Sequence, residues 1–314
     1  MRFVRATSCA GDAEMRCLFL YHEGSGRGTV ARKLPLIKRR LSRRYQQVDI
    51  VCTTSADELM THVREGMSTY DAVVFSGGDG TFNDVLQAAE GSETPLGYLP
   101  TGTVNDVARS LGIPRNIKGA LNVILSGRAE RLDCMKIGER RAMYIVAAGA
   151  FTSATYTTPQ AMKRVMGAAA YAVEAILHNL DFQVFPLKIN CDGKTIETSA
   201  VLVFVLNGRS VAGFPINREG SMNDGKLEVV VIRQAKRPNF FQKLTKYLSL
   251  ASLFLFGCKV KKKDILTMSG KRIDIETEEN VVWDFDGEEG VTGSIEVTAE
   301  RGNVKLFVPR GKKV

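Results

Sequence analysis

The sequence predicts an α/β fold in two parts: a doubly wound N-terminal domain, then a β-rich, antiparallel, sandwich-like second domain. Two observations carry this. Over roughly the first 125 residues, short β-like runs alternate with helical patterns, as parallel strands joined by crossover helices do. From about Arg131 onward the pattern changes to longer β-rich runs with few helices between them. A chain of 314 residues also fits two domains at ~150 residues each.

The elements follow in order. Strand-like runs are expected at Cys17–Tyr21, Val48–Cys52, Ala72–Phe75 and Leu96–Leu99, with helices at Thr29–Arg44, Ala56–Glu65, Thr81–Ala89 and Val104–Leu111. In the second part the runs are Ala142–Ala148, Thr198–Leu206, Lys226–Ile232, Arg272–Glu276 and Asn280–Phe285, and Asp192-Gly193 reads as a hairpin tip. Two helical insertions interrupt them, Pro159–Asn179 and roughly Asn239–Phe256. Domain boundaries are expected at 15–130 and 131–304, with 305–314 returning to the first domain.

Composition narrows the function classes. The 43 Lys and Arg against 34 Asp and Glu leave a net charge of +9, which favours anionic partners. The basic residues are dispersed and no nucleic-acid motif frames them, so nucleic acid is not the expected partner. The six cysteines are scattered without a C-x-x-C pair, which argues for a reduced cytoplasmic protein without structural zinc. No apolar run reaches the ~20 residues of a membrane-spanning helix. Residues 1–14 lack a signal-peptide core and are expected to be dispensable or to reflect the choice of start site. The insertion at Asn239–Phe256 is the most apolar stretch, and Lys259–Lys263 follows it. Two readings stand for it: an element lying on anionic lipid, or a core-packing helix with a solvated charge run.

The chemistry concentrates in "SGGDGTFNDVLQAAEG", which begins at Ser76. Gly80-Thr81-Phe82-Asn83-Asp84-Val85 recurs as Gly102-Thr103-Val104-Asn105-Asp106-Val107, each copy between a strand-like run and a helix. In a parallel sheet both turns lie at the carboxyl edge, where two helix N-termini can face one polyphosphate. An acid there repels phosphate unless a divalent ion bridges them. Asp79 and Asp106 therefore point to a metal-nucleotide. The sequence lacks G-x-x-x-x-G-K-S/T and G-x-G-x-x-G, although Gly24-Ser25-Gly26-Arg27-Gly28 could add N–H donors after the first strand.

Gly77-Gly78-Asp79-Gly80-Thr81, Gly102-Thr103-Val104-Asn105-Asp106 and Asp286-Gly287-Glu288 resemble the diacylglycerol kinase catalytic-domain family, in particular its soluble bacterial lipid kinases. The resemblance spans nearly the whole chain from Met15 and includes "TYTTPQAMKRVMGAAAYAVEAI". It implies an N-terminal nucleotide domain and an active site in the cleft between domains. The implied reaction is transfer of the ATP γ-phosphoryl group to a lipid hydroxyl, most directly diacylglycerol to phosphatidic acid. Alternatives are another lipid alcohol, such as a sphingoid base or a polyprenol, and a catalytically weak lipid- or nucleotide-binding regulator. Carried over by position, Gly77, Gly78, Asp79, Gly80, Thr81, Asn83 and Thr103 contact ATP, with Gly24, Ser25 and Gly26 adding loop donors and Thr53 near the base or ribose. Asp79, Asp106 and Asp133 form the network around a catalytic Mg²⁺, and Glu288 is the general base. A second Mg²⁺ is implied at Asp224 with the carbonyls of Ser221 and Lys226. The resemblance further implies peripheral work on an anionic membrane from the cytoplasmic side, and leaves a homodimer open. One departure stands out: His22-Glu23 replaces the family's usual Asn-Pro, an added acid near the nucleotide.

Overall fold

The computed structural model describes residues 14–24, 26, 28–149, 184–234, 249, 252–258 and 263–311. The insertion expected at Pro159–Asn179, Ser25, and most of Asn239–Phe256 lie outside these residues.

The first domain is built from β1 (Arg16–His22), β2 (Gln47–Thr53), β3 (Ala72–Gly77) and β4 (Leu96–Pro100), all parallel, in the order β2-β1-β3-β4. Its helices are α1 (Thr29–Arg32), α2 (Leu34–Leu41), α3 (Ala56–Thr69), α4 (Asp79–Ala88), α5 (Asp106–Leu111) and α6 (Ile117–Ser126). Every residue of β3 is buried, as expected of a central strand covered by helices on both faces. α3 starts at Ser55, whose side chain accepts the Glu58 N–H, and α6 starts at Asn116, which accepts the Gly119 N–H.

One expected helix is broken. Thr29–Arg44 divides at Lys33, because Pro35 lacks the N–H that a continuous helix needs and is accommodated in the first turn of α2. α5 is also shorter than expected, since Asn105 adopts a left-handed backbone (φ 57°) and the helix begins only at Asp106.

The second part comprises β5 (Arg128–Ile137), β6 (Arg140–Ala142), β7 (Ile145–Gly149), β8 (Phe185–Cys191), β9 (Lys194–Leu206), β10 (Leu227–Arg233), β11 (Ile265–Gly270), β12 (Arg272–Glu276), β13 (Val282–Phe285), β14 (Glu288–Thr292) and β15 (Ile295–Val308). Among the described residues the strands form one continuous mixed sheet, with main order β14-β13-β7-β9-β8-β12-β15-β4-β3-β1-β2. Asp192-Gly193 is the β8–β9 hairpin tip, with φ of 47° and 87°. β15 joins the two parts. Its first half pairs with β12, and Leu306 near its end pairs in parallel with Leu96 of β4. Two apolar cores result. One lies under the helices around Phe19, Phe75, Phe82 and Tyr98, and the other lies between second-domain strands around Trp283, Phe285, Val203 and Ile273.

Candidate active site

The two glycine turns meet backbone to backbone. β3 ends at Gly77, Gly78 is extended, and α4 begins at Asp79. Beneath the turn, Phe75 and Tyr98 stack and Phe82 meets both edge-on, with centroids 5.1–5.6 Å apart. A Cβ on Gly102 would lie 2.5 Å from Gly78 Cα, and one on Gly77 would lie 2.3 Å from Thr81 Cβ. Only glycine permits either approach. Asn105 fixes the second turn by accepting the Gly102 N–H at 2.9 Å and donating to the Gly102 carbonyl at 2.8 Å. Thr103 is exposed beyond it. α4 supplies a ten-residue helix N-terminus here; α5 is too short to act as a second one.

The first loop reaches the same place, since a Cβ on Gly26 would come within 3.2 Å of Thr101 Cβ. His22, the departure noted in the sequence, closes this loop, with its Nδ1 accepting the Gly24 N–H at 3.0 Å. An Asn side chain closes a turn onto the N–H two residues ahead in the same way, so the loop keeps an equivalent side-chain acceptor. Thr53 is buried at the end of β2, with its hydroxyl 3.5 Å from the Tyr21 carbonyl.

Asp79 and Asp106 come together. Asp79 Oδ1 accepts the Val107 N–H at 3.2 Å, and its pKa is raised to about 6 by burial first and by the charge of Asp106 next. Asp106 is buried and also raised, again chiefly by burial. Its Oδ1 accepts the Ser210 hydroxyl at 2.6 Å and the Gly213 N–H at 2.9 Å, so the second domain grips this acid. Two partly or fully buried carboxylates that repel one another suit a cation, and Mg²⁺ in particular, which keeps several waters and takes only one or two protein carboxylates.

The third acid expected in that network, Asp133, has both carboxylate oxygens bonded to backbone N–H groups of the second domain. Asp133 accepts the Gly225 N–H at 2.6 Å through Oδ2 and the Gly302 N–H at 2.8 Å through Oδ1, and the acid facing it is Asp224. The charge of Asp286 also acts on Asp79, less than that of Asp106. Asp286 is buried in the β13–β14 turn, accepts Tyr144 N–H at 2.9 Å and Ile145 N–H at 3.0 Å, and also accepts from Met143. Burial raises its pKa to about 6, against the pull of those donors.

Asn83, expected from the motif to contact nucleotide, has its side chain committed to the domain interface instead. Its Nδ2 donates to Asp286 Oδ2 at 2.9 Å and its Oδ1 accepts from Gln87 Nε2 at 2.9 Å. This bridge sets Glu288 over the Gly77–Gly80 turn. A Cβ on Gly80 would lie 3.2 Å from Glu288 Oε1. Glu288 also faces Arg140 at 3.9 Å and Asp84, whose pKa rises to about 6 through burial first and Glu288 next.

The loop expected to hold a second metal forms a tight turn at the surface. Asp224 is exposed and its Oδ1 accepts the Lys226 N–H at 3.0 Å, while Ser221 Oγ donates to Asn223 Oδ1 at 2.8 Å. The loop is closed by its own bonds and by Asp133 Oδ2, which accepts the Gly225 N–H.

Fold and site together define a two-domain kinase-type transferase in which an acid-bearing β-hairpin covers a doubled glycine turn. The diacylglycerol kinase catalytic domain model matches residues 16–137, and the model of the YegS C-terminal NAD kinase beta sandwich-like domain matches residues 144–308. The chain belongs to the diacylglycerol kinase catalytic-domain family and is a diacylglycerol kinase-like transferase. It is 29% identical over 279 residues to a protein named diacylglycerol kinase from Staphylococcus aureus (strain JH9), covering 88% of this chain and 86% of that protein. A solved structure described as a diacylglycerol kinase of Bacillus anthracis str. Sterne superposes with a TM-score of 0.76 at 25% identity, over 94% of this chain and 97% of that one. Another from the same organism reaches 0.81 at 24% identity, over 97% and 99%, and shows the fold.

Proposed function

We propose that the protein transfers the γ-phosphoryl group of ATP to a lipid hydroxyl, with diacylglycerol as acceptor and phosphatidic acid as product. The observation that carries this reading is Glu288 Oε1, held against Gly80 at the start of α4. Backbone N–H groups of the Gly77–Gly80 turn and the positive end of α4 attract the phosphates. The Gly102–Thr103 turn, pressed against Gly78, closes the other side. Asp79 and Asp106 would hold Mg²⁺, which supplies charge neutralisation and orientation of the transferring group.

Glu288, more exposed than the other acids, accepts the proton of the acceptor hydroxyl as its oxygen bonds to phosphorus and the bond to ADP breaks. Asp286 does not perform this step, because its carboxylate oxygens are engaged by Met143, Tyr144, Ile145 and Asn83. It is a positioning residue that joins α4 to the β13–β14 hairpin.

The acceptor approaches from an anionic membrane surface in this reading. Support comes from the net charge of +9 and the exposed side chains of Leu255 and Phe256. Among the described residues no helix is long and apolar enough to cross a membrane. The names of the Staphylococcus aureus relatives favour diacylglycerol over a sphingoid base or a polyprenol. Radiolabelled ATP incubated with a panel of these lipid alcohols tests the reading: phosphatidic acid as the dominant product supports it. A different dominant phospholipid replaces the acceptor, and binding of ATP without transfer to any lipid overturns the catalytic assignment.

A further inference from the structure

A cavity of about 390 Å³ opens between the C-terminal end of α5 and the strap of residues 209–218. Three arginines, Arg109, Arg209 and Arg218, are among its lining residues, together with Ser110, Ser210 and Gly213 and an apolar part at Leu111 and Pro215, and no acidic residue lines it. Each arginine is anchored through Nε to a backbone carbonyl: Arg109 to Val104 at 2.9 Å, Arg209 to Gly220 at 2.6 Å and Arg218 to Pro215 at 3.4 Å. The guanidinium planes are therefore oriented before any ligand arrives, which lowers the ordering cost of binding. Three arginines around one cavity supply the positive charge and N–H donors that suit the oxygens of a phosphate group. The volume lies at the small end of the ~300–1,000 Å³ range of ligand pockets, enough for a phosphate ester of a small alcohol.

The cavity shares its wall with the acid pair. Ser210 and Gly213 are the two groups that hold Asp106 Oδ1, and Ser110 Oγ accepts the N–H groups of both Arg209 and Ser210, at 2.9 and 3.0 Å. We propose that this cavity is a second anion site, separate from the phosphate-binding turns, which takes a phosphate-ester group and whose occupant braces the strap that holds Asp106. The chemistry is common to a phospholipid headgroup and a soluble phosphate. Arg218 Nη2 donates to the Leu255 carbonyl at 2.9 Å, and Leu255 and Phe256 are 61% and 66% exposed, so the cavity mouth adjoins an apolar edge and the lipid source is favoured. The site follows from the arginines and the strap, and holds whichever lipid alcohol is the acceptor.

The test is direct binding to the full chain with two probes, inorganic phosphate by calorimetry and vesicles of phosphatidylcholine with or without phosphatidylglycerol by sedimentation. The double variant Arg109→Gln, Arg218→Gln is compared with Arg39→Gln, Arg43→Gln, an equal charge change at exposed positions on and beyond α2. Loss of each charge-assisted contact is expected to weaken binding about tenfold in the cavity variant and little in the control. A loss confined to vesicles identifies the headgroup, and a loss seen with phosphate as well identifies a general phosphate site. Equal losses in both variants, or none in the cavity variant, overturn the site. So does a parallel fall in ATP affinity, which would make the cavity part of the nucleotide site. Amide exchange at Ser210–Gly213 should slow when the probe is saturating, and unchanged exchange with binding intact overturns the bracing role.

Discussion

Replacing Asp79 by Asn should stabilise the protein when divalent ions are absent. In the folded chain the Asp79 pKa is raised to about 6 from an ordinary 3.8, by burial and then by Asp106. At ~1.36 kcal/mol per pH unit, keeping this carboxylate charged near neutrality costs about 3 kcal/mol. The sign follows from proton uptake: a carboxyl with a raised folded pKa binds its proton earlier in the folded state. Its contribution is therefore complete below 3.8 and is lost as pH rises through about 6. Asn removes the charge and keeps an oxygen for the Val107 N–H. Melting in a chelator should show wild type gaining several degrees between about pH 7 and pH 4, with Asp79→Asn starting higher near neutrality and varying less. With Mg²⁺ and ATP the order should reverse, because the variant has lost half of the cation-binding pair. A lower melting temperature for Asp79→Asn in chelator near pH 7, or an unchanged pH slope, would refute the reasoning.

Gly102→Ala should push the two glycine turns apart, because its Cβ would meet Gly78 Cα at 2.5 Å. Overpacking against backbone typically costs ~1–3 kcal/mol, so ATP affinity by calorimetry should fall about tenfold or more with a near-normal circular dichroism spectrum. Asp286→Ala leaves three backbone N–H groups and the Asn83 amide without their acceptor. At ~1–3 kcal/mol for each unsatisfied group, less what water recovers, stability in urea should drop by about 3–5 kcal/mol; a change under about 1 kcal/mol would contradict the latch. Asp133→Ala should lower stability more than Asp224→Ala does, since Asp133 is buried and bonded to Gly225 and Gly302 whereas Asp224 is exposed. A loss in Asp224→Ala that appears only with Mg²⁺ present would establish an ion site there instead of a turn.

The glycine turns, the alternation of strands and helices, and the hairpins at Asp192-Gly193 and Asp286-Gly287 are legible in the sequence because each is a local signal: paired glycines between a strand and a helix, an apolar run, an Asp-Gly pair. The break at Lys33 is legible too, in Pro35, but the helical pattern through Arg44 outweighs it. What the sequence does not show is which distant donors each acid meets. Asp106 is held by Ser210 and Gly213, residues 104 and 107 positions away, in a strap without regular structure or motif. Asn83 and Asp286 meet across 203 positions, so Asn83 carries the same motif whether it contacts nucleotide or bridges domains. Asp133 lies in a β-run that sequence periodicity does not resolve, and only resemblance groups it with Asp79; its two glycine partners come from separate parts of the second domain.

The central claim is that Glu288, presented by the β13–β14 hairpin, removes the acceptor proton at the phosphate turn of the other domain. Steady-state transfer from ATP to diacylglycerol by Glu288→Gln, paired with calorimetric ATP titration, tests it most directly. A general base of this kind contributes ~10²–10⁴ in rate, and Gln keeps the size and the approach to Gly80 while losing the base. The account predicts a kcat lower by at least about a hundredfold with ATP affinity nearly unchanged. Turnover close to wild type, or a collapse of ATP affinity that matches the loss in rate, would contradict it.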